Sequence, residues 1–370
     1  MKNISLPFHT KLAMVLVSII SLIYIAILGE TILAPFMFSF LLALLLLPLA
    51  NFLEKKLRFK RSLSSIVSVV VMLFAIGSIM YFFANQLSDL WQDWPLLKTQ
   101  VTNTFHEAQE WINHTFHVDA EKQLKYINDT ATGALAKSAT VLGTTLLTVS
   151  STMLFLSFIL LFTFFILNYR RILFTFLTSV FKEEHADKVK DIIEQIQYII
   201  KKYITGLFLQ MVIVTILMVG ILSLLGIKYA ILLGLVAGIF NLIPYLGIFT
   251  ALAISVLITF ATAGGAKVLL VLITFIGVHA LDGNILMPLV VGSKVKINAL
   301  IAFVGIVVGE MIWGIPGMFL CIPYLAMMKI IFERVDPLKP WAILLGEEQH
   351  EKKKRRVYQI TKKIKLEEKD

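Results

Sequence analysis

Between Gly238 and Gly247 the sequence reads GIFNLIPYLG, with an Asn, a Pro and a closing Gly inside a block otherwise apolar enough to sit in a bilayer. Proline donates no backbone hydrogen bond and disfavours helix at the residue before it. In lipid, the carbonyls freed by such a break must find partners in protein or in a water-lined cavity. Transporters build substrate and ion sites from helices interrupted in this way. A second stretch, Gly317–Ala326 (GMFLCIPYLA), repeats the pattern G-x-F-x-x-I-P-Y-L-small. Both a structural echo and a coincidence within an apolar chain fit that repeat.

The rest of the chain supplies the bilayer setting. Hydrophobic residues make up 58% and charged residues 16%, against about 25% charged in soluble domains. Mean hydropathy is +0.83. Several apolar runs exceed the ~20 residues a spanning helix needs. These features predict an all-α integral membrane protein of about eight transmembrane helices. Gly/Pro-broken helices are expected in its C-terminal half, together with a small helical extracytoplasmic segment. Such a bundle leaves no room in 370 residues for a separate large catalytic domain. The net charge of +10 reads as Lys and Arg beside the spans, setting orientation, rather than as a nucleic-acid surface. The lone Cys321 has no intrachain partner and reads as a packing residue.

Five segments follow from the pattern. Residues 1–85 hold three spans, Leu12–Leu28, Ile32–Phe52 and Ser62–Asn85, the first read as uncleaved because no small-x-small site follows it. The basic loop Glu54–Arg61 between the second and third places that end in the cytoplasm. Residues 86–138 are an extracytoplasmic amphipathic helical segment with Trp91 and Trp94 at its start. Residues 139–202 hold the fourth span, about Val141–Tyr169, closed by Arg170–Arg171, then an amphipathic cytoplasmic helix over Lys182–Lys202. Residues 203–333 form the C-terminal bundle, opening with the span Tyr203–Leu225. A re-entrant hairpin fits the stretch Asn241–Asn298. Ala299–Phe332 is 34 residues, too long for one straight crossing, and Trp313–Gly317 is the expected place for a bend or break. Residues 334–370 are a basic cytoplasmic tail with KKKRR at Lys352–Arg356, suited to solvation or to anionic lipid.

Ionisable groups inside spans are expensive and mark function by default. Asp282, flanked by His279, Asn284 and Pro288, can bind a cation or relay a proton, or can simply cap the following segment. Glu310 can titrate in a cavity, or pair with Lys294 or Lys296. Asn241 can offer its amide to a polar solute, or satisfy the backbone at the break. Gln210 reads as an interhelical hydrogen-bonding residue. The spacings Gly234–Gly238 and Gly305–Gly309 permit close helix approach. No Walker motif, HExxH, GxSxG or Cys/His cluster occurs, so the chain reads as a non-enzyme with no cofactor and no metal.

The stretches ITGLFLQ (Ile204–Gln210), LLGIKYAILLGLVAGIFNLIPYLG (Leu224–Gly247), DGNILMPLVVGSKVKINAL (Asp282–Leu300) and GEMIWGIPGMFLCIP (Gly309–Pro323) resemble, in order and spacing, the AI-2E family of bacterial transporters, also called PerM-like. The ending at Lys339-Pro340-Trp341 and Leu344-Leu345-Gly346 resembles versions from the Bacteroidetes. The resemblance implies a multi-pass protein of the bacterial inner membrane, and the charge pattern places both termini in the cytoplasm. It implies export of small solutes, with autoinducer-2 export and sodium/proton exchange both associated with the family. It also implies a homo-oligomer, a pentamer being one arrangement. Asn241, Pro244, Gly247, Asp282, Asn284, Pro288, Gly292, Gly314, Gly317 and Pro323 fall on motif positions. Glu310 departs from a usual small residue, and His279 from a usual polar amide.

The leading expectation is a secondary exporter of a small polar solute, driven by an ion gradient. Its pathway would be framed by Asn241, Pro244, Gly247, Asp282, Asn284, Pro288, Glu310, Gly314, Gly317 and Pro323. Asp282, Glu310 and His279 would couple ions. A sodium/proton antiporter, an oligomeric passive channel and a membrane scaffold are the alternatives. The expected partners are the lipid bilayer, a small-molecule or ion substrate and further copies of the chain, with no nucleic acid.

Overall fold

Apolar length and the lack of strand periodicity dictate helices throughout. The computed structural model describes residues 7–93, 99, 120–243, 246–291 and 297–346, and every named element among them is helical. The order is α1 (Phe8–Leu28), α2 (Glu30–Lys55), α3 (Arg61–Gln92), α4 (Ala120–Ser179), α5 (Glu183–Leu224), α6 (Ala230–Phe240), α7 (Leu246–Ala263) and α8 (Gly265–Leu281). A π-helical segment, Asp282–Val291, continues α8. α9 (Ala299–Arg334), a 3-10 turn at Asp336–Leu338 and α10 (Lys339–Leu345) are the last elements among the described residues. Seven of these helices are long and apolar enough to cross a membrane, and Leu12–Leu28 and Ala230–Phe240 are shorter apolar helices. The protein is a multi-pass, all-α membrane protein.

Several boundaries differ from the sequence expectation. α3 runs to Gln92 rather than ending at Asn85, and α4 is already helical from Ala120. The expected extracytoplasmic segment therefore begins and ends inside these two helices, and of the residues between them only 93 and 99 are among the described ones. α4 also continues past Arg170–Arg171 to Ser179. Those arginines do not stop it because Glu54 of α2 takes hydrogen bonds from both guanidinium groups. The amphipathic stretch Lys182–Lys202 is not a separate helix. It is the first half of α5, with no Pro or Gly before Gly206 to interrupt propagation.

α9 is in fact a hairpin. Trp313 (φ −137°, ψ 18°) and Gly314 (φ 60°, ψ −141°) leave helical geometry, as the excess length of this block required. The positive φ of Gly314 costs a residue with a Cβ about 1–3 kcal/mol. The arms lie against each other. A Cβ on Gly309 would come within 2.5 Å of the Gly317 carbonyl oxygen, and one on Gly305 within 2.5 Å of Cys321 Sγ. In a straight helix, residues 305 and 321 would be about 24 Å apart. The break is confined to Trp313–Gly314. Gly317–Ala326 is continuous helix through Pro323, so the second copy of the I-P-Y-L motif does not repeat the interruption that follows Phe240.

Three apolar clusters hold the bundle. The largest joins α5, α6, α7 and α8 through Met218, Leu222, Leu233, Ala251, Val271 and Phe275. The second packs α2 and α5 on the second arm of α9 through Leu41, Ile204 and Leu320. The third joins α2 to α3 and α4 through Ala50, Met72 and Leu167.

Candidate functional site

A regular helix, α5, and two helical irregularities converge at the largest cluster. The buried face of α5 reads Tyr203, Leu207, Gln210, Val214, Met218 and Leu222, spaced three or four apart. Gln210 therefore points into the core in line with the apolar stripe. α6 reaches α5 closely because Gly234 and Gly238 face it. A Cβ on Gly238 would collide with Thr215 Oγ1, and one on Gly234 would lie 2.5 Å from Val219 Cγ2. That approach carries Asn241, three residues beyond Gly238, to the α5 surface. α6 then stops and α7 starts at Leu246, with Gly247 pressed against the Phe240 carbonyl where no side chain fits. On α8 the buried positions Val271, Phe275 and Val278 continue at helical spacing to Asp282. The backbone changes there to π geometry, a feature frequent at functional sites.

The result is a carboxylate held by two amides. Gln210 Nε2 donates to Asp282 Oδ1 and Oδ2, both at 2.8 Å. Asn241 Nδ2 donates to Oδ2 at 3.2 Å. Asp282 is 5% exposed. The ion pairs among the described residues lie elsewhere, at Glu54, Asp93, Glu184, Asp191, Glu333 and Asp336, and none reaches Asp282. Beside the carboxylate is a cavity of about 20 Å³, bounded by Met218, Ala237, Ala251, Phe275 and His279. That is room for about one water.

Asp282, Asn241 and His279 meet around this cavity, and Gly247 closes the turn beside it. Asn284 is exposed and donates to the Ala280 carbonyl at 2.7 Å, away from Asp282. Pro288 is exposed within the π segment. Pro244 and Gly292 lie outside the described residues, as do Lys294 and Lys296. Glu310 is exposed on the first arm of the α9 hairpin, between exposed Val307 and Met311, and stands apart from Asp282. Gly314 forms the hairpin tip, Gly317 packs on Gly309, and Pro323 is buried within the second arm. The residue that sequence reasoning left out of the site is Gln210. Its signal was available, as a polar amide at a core position of an apolar stripe.

Two further buried hydroxyls lie on α7. Ser255 and Thr259 follow Ala251 at four-residue intervals along the buried face of α7. Both are fully buried, and neither hydroxyl has a hydrogen-bond partner among the described residues. A different polar group marks the end of the bundle where α3 finishes. There Asp93 accepts from Tyr229 and pairs with Lys228 at 2.5 Å. The hydrogen bond from Lys228, then that from Tyr229, holds the Asp93 carboxyl below its ordinary range, and the same bond raises Lys228.

Residues 12–336 match the AI-2E family transporter profile. The "Putative transport protein YrrI" of Bacillus subtilis is 26% identical over 313 residues, covering 82% of this chain and 86% of its own. The "Putative transport protein YueF" of the same organism is 37% identical over 107 residues, 29% of each chain. The "AI-2 transport protein TqsA" of Escherichia coli is 27% identical over 128 residues, 35% of this chain and 37% of its own.

Proposed function

Since this chain belongs to the AI-2E transporter family, we propose that it is an ion-coupled secondary transporter whose coupling group is the Asp282 carboxylate. The observation that carries this reading is the buried Asp282, held by two neutral amides and by no cation among the described residues. Amide donors orient a carboxylate and share its charge without neutralising it. A buried ionised carboxylate without a counter-ion is costly, so a small cation reaching Asp282 would meet a charge that no cation among the described residues offsets. Competition between that ion and a conformational change across the α6–α7 break would couple the gradient to solute movement.

The cargo in this reading is a small polar solute moved outward. An autoinducer-2-like signal is one candidate, supported by the name of the Escherichia coli relative. Sodium/proton exchange uses the same carboxylate and is the second form of the reading. The basic groups Lys55–Arg61, Arg170 and Arg171 gather at one end of the bundle, which supports an inner-membrane orientation with that end in the cytoplasm. Glu310 faces outward from an apolar arm. Carboxylates rarely face lipid, which supports a homo-oligomer in which another copy or a shared aqueous space meets it.

The test is flux into sealed vesicles containing the purified protein and a pH dye, challenged with sodium, lithium and then autoinducer-2. Wild type is expected to give a cation-dependent dye response that Asp282→Asn abolishes and Glu310→Gln retains. Solute movement unaffected by Asp282→Asn would refute the assignment.

A further inference from the structure

A second cavity, of about 500 Å³, lies between α2, the end of α4 and the start of α5. Its walls are almost wholly apolar, including Phe40, Leu44, Leu177 and Ile193, while Arg170 and Arg171 stand at its edge. This is the volume range of small-molecule sites. It shares no lining residue with the Asp282 cavity.

The charge beside it is unbalanced. Arg170 and Arg171 both donate to Glu54, and Arg61 Nε lies 3.9 Å from the same carboxylate. Three guanidinium groups thus share one acid. Arg61 Nε is buried without a hydrogen-bond partner among the described residues, and the Arg171 side chain is 67% exposed. α4 continues beyond these arginines with Ile172 and Phe176 exposed, and Val180 and Phe181, just past its end, are exposed as well. An apolar surface of this kind belongs in lipid rather than water. The arginines are therefore bracketed by lipid-facing residues, where an exposed guanidinium reaches for the headgroup layer.

We propose that this crevice binds an anionic diacyl phospholipid, with an acyl chain in the cavity and the headgroup phosphate on Arg171. The ligand class follows from two requirements met in one place. The apolar volume takes a hydrocarbon chain, and the excess positive charge at its mouth takes a phosphate. Because α4 and α5 are joined only through residues 180–182, a lipid seated there braces the two helices against α2.

The test uses the full-length protein in detergent, with unfolding followed on heating after addition of phosphatidylglycerol, phosphatidylcholine or a free fatty acid of the same chain. Wild type is expected to melt several degrees higher with phosphatidylglycerol than with either of the others, and to retain anionic lipid through purification. Arg171→Gln is expected to remove the preference for the anionic lipid, and Arg171→Lys to keep it. Thr175→Trp, at an exposed position lining the cavity, is expected to cut lipid retention at least fivefold without lowering the lipid-free melting temperature. Equal stabilisation by the two phospholipids would overturn the proposal. So would a fatty acid matching phosphatidylglycerol, or a preference surviving in Arg171→Gln.

Discussion

Gln210 Nε2 donates to both oxygens of Asp282 at 2.8 Å, across 72 residues of sequence. A single amide thereby fixes the orientation of the carboxyl group and leaves it one further donor, Asn241 at 3.2 Å. Hydrogen bonds to a charged group are worth about 1.5–3 kcal/mol each. Gln210→Leu is therefore expected to weaken ion-coupled flux at least tenfold, with about 1.4 kcal/mol equal to a factor of ten. Gln210→Glu places a second acid against the first and is expected to abolish coupling at neutral pH. Initial rates in vesicles across a range of cation concentrations check both.

The α9 hairpin makes a covalent prediction. Introducing Gly305→Cys sets a thiol against Cys321, the one native cysteine. Mild oxidation is expected to protect both thiols from alkylation while the protein still runs as a monomer. An unbroken helix would hold the two positions about 24 Å apart and leave both open to reagent. Gly314→Val is expected to lower thermal stability by about 1–3 kcal/mol, the usual cost of a residue held in such a backbone region.

Much of this architecture was legible in the sequence, for identifiable reasons. Apolar length located the spans, and the 34-residue block beginning at Ala299 announced a break within Trp313–Gly317, which falls at Trp313 and Gly314. Asp282 and Asn241 stood out as polar groups in apolar surroundings, and they do meet. Contacts distant in sequence were not legible. Nothing near Arg170 shows that Glu54 will receive it, so α4 was expected to end nine residues early. The I-P-Y-L repeat left an echo and a coincidence both open, and the break is not repeated at Pro323. Pro323 is absorbed into helix because neighbouring elements and local adjustment re-satisfy the backbone inside a bundle. Gln210 required knowing that α6 would dock on that particular face of α5.

The Asp93–Lys228–Tyr229 cluster predicts a pH window for stability. Asp93 titrates lower in the folded protein than in the unfolded chain. Its contribution is complete above the unfolded value, about 4, and is lost as pH falls through the lowered folded value. Lys228 titrates higher when folded, so its contribution is complete below about 10.4 and is lost as pH rises through the raised folded value. Asp93→Asn is expected to lower the melting temperature at neutral pH and to flatten both limbs relative to wild type. Melting curves in detergent at several pH values check this.

Ser255 and Thr259 carry buried hydroxyls without partners among the described residues, an arrangement that ordinarily costs about 1–3 kcal/mol each. Thr259→Val keeps the shape and removes the hydroxyl, so thermal stability is expected to hold or rise. If these hydroxyls carry water toward the Asp282 cavity, flux falls in the same variant. A clear loss of stability would show that the hydroxyl is paired.

The most direct measurement of the central claim is proton release. The purified protein, in weak buffer with a pH indicator, is mixed with sodium or lithium, and protons released per chain are counted. Wild type is expected to release up to one proton, Glu310→Gln the same, and Asp282→Asn none. Release from Asp282→Asn equal to that of wild type would contradict the assignment of Asp282 as the coupling group.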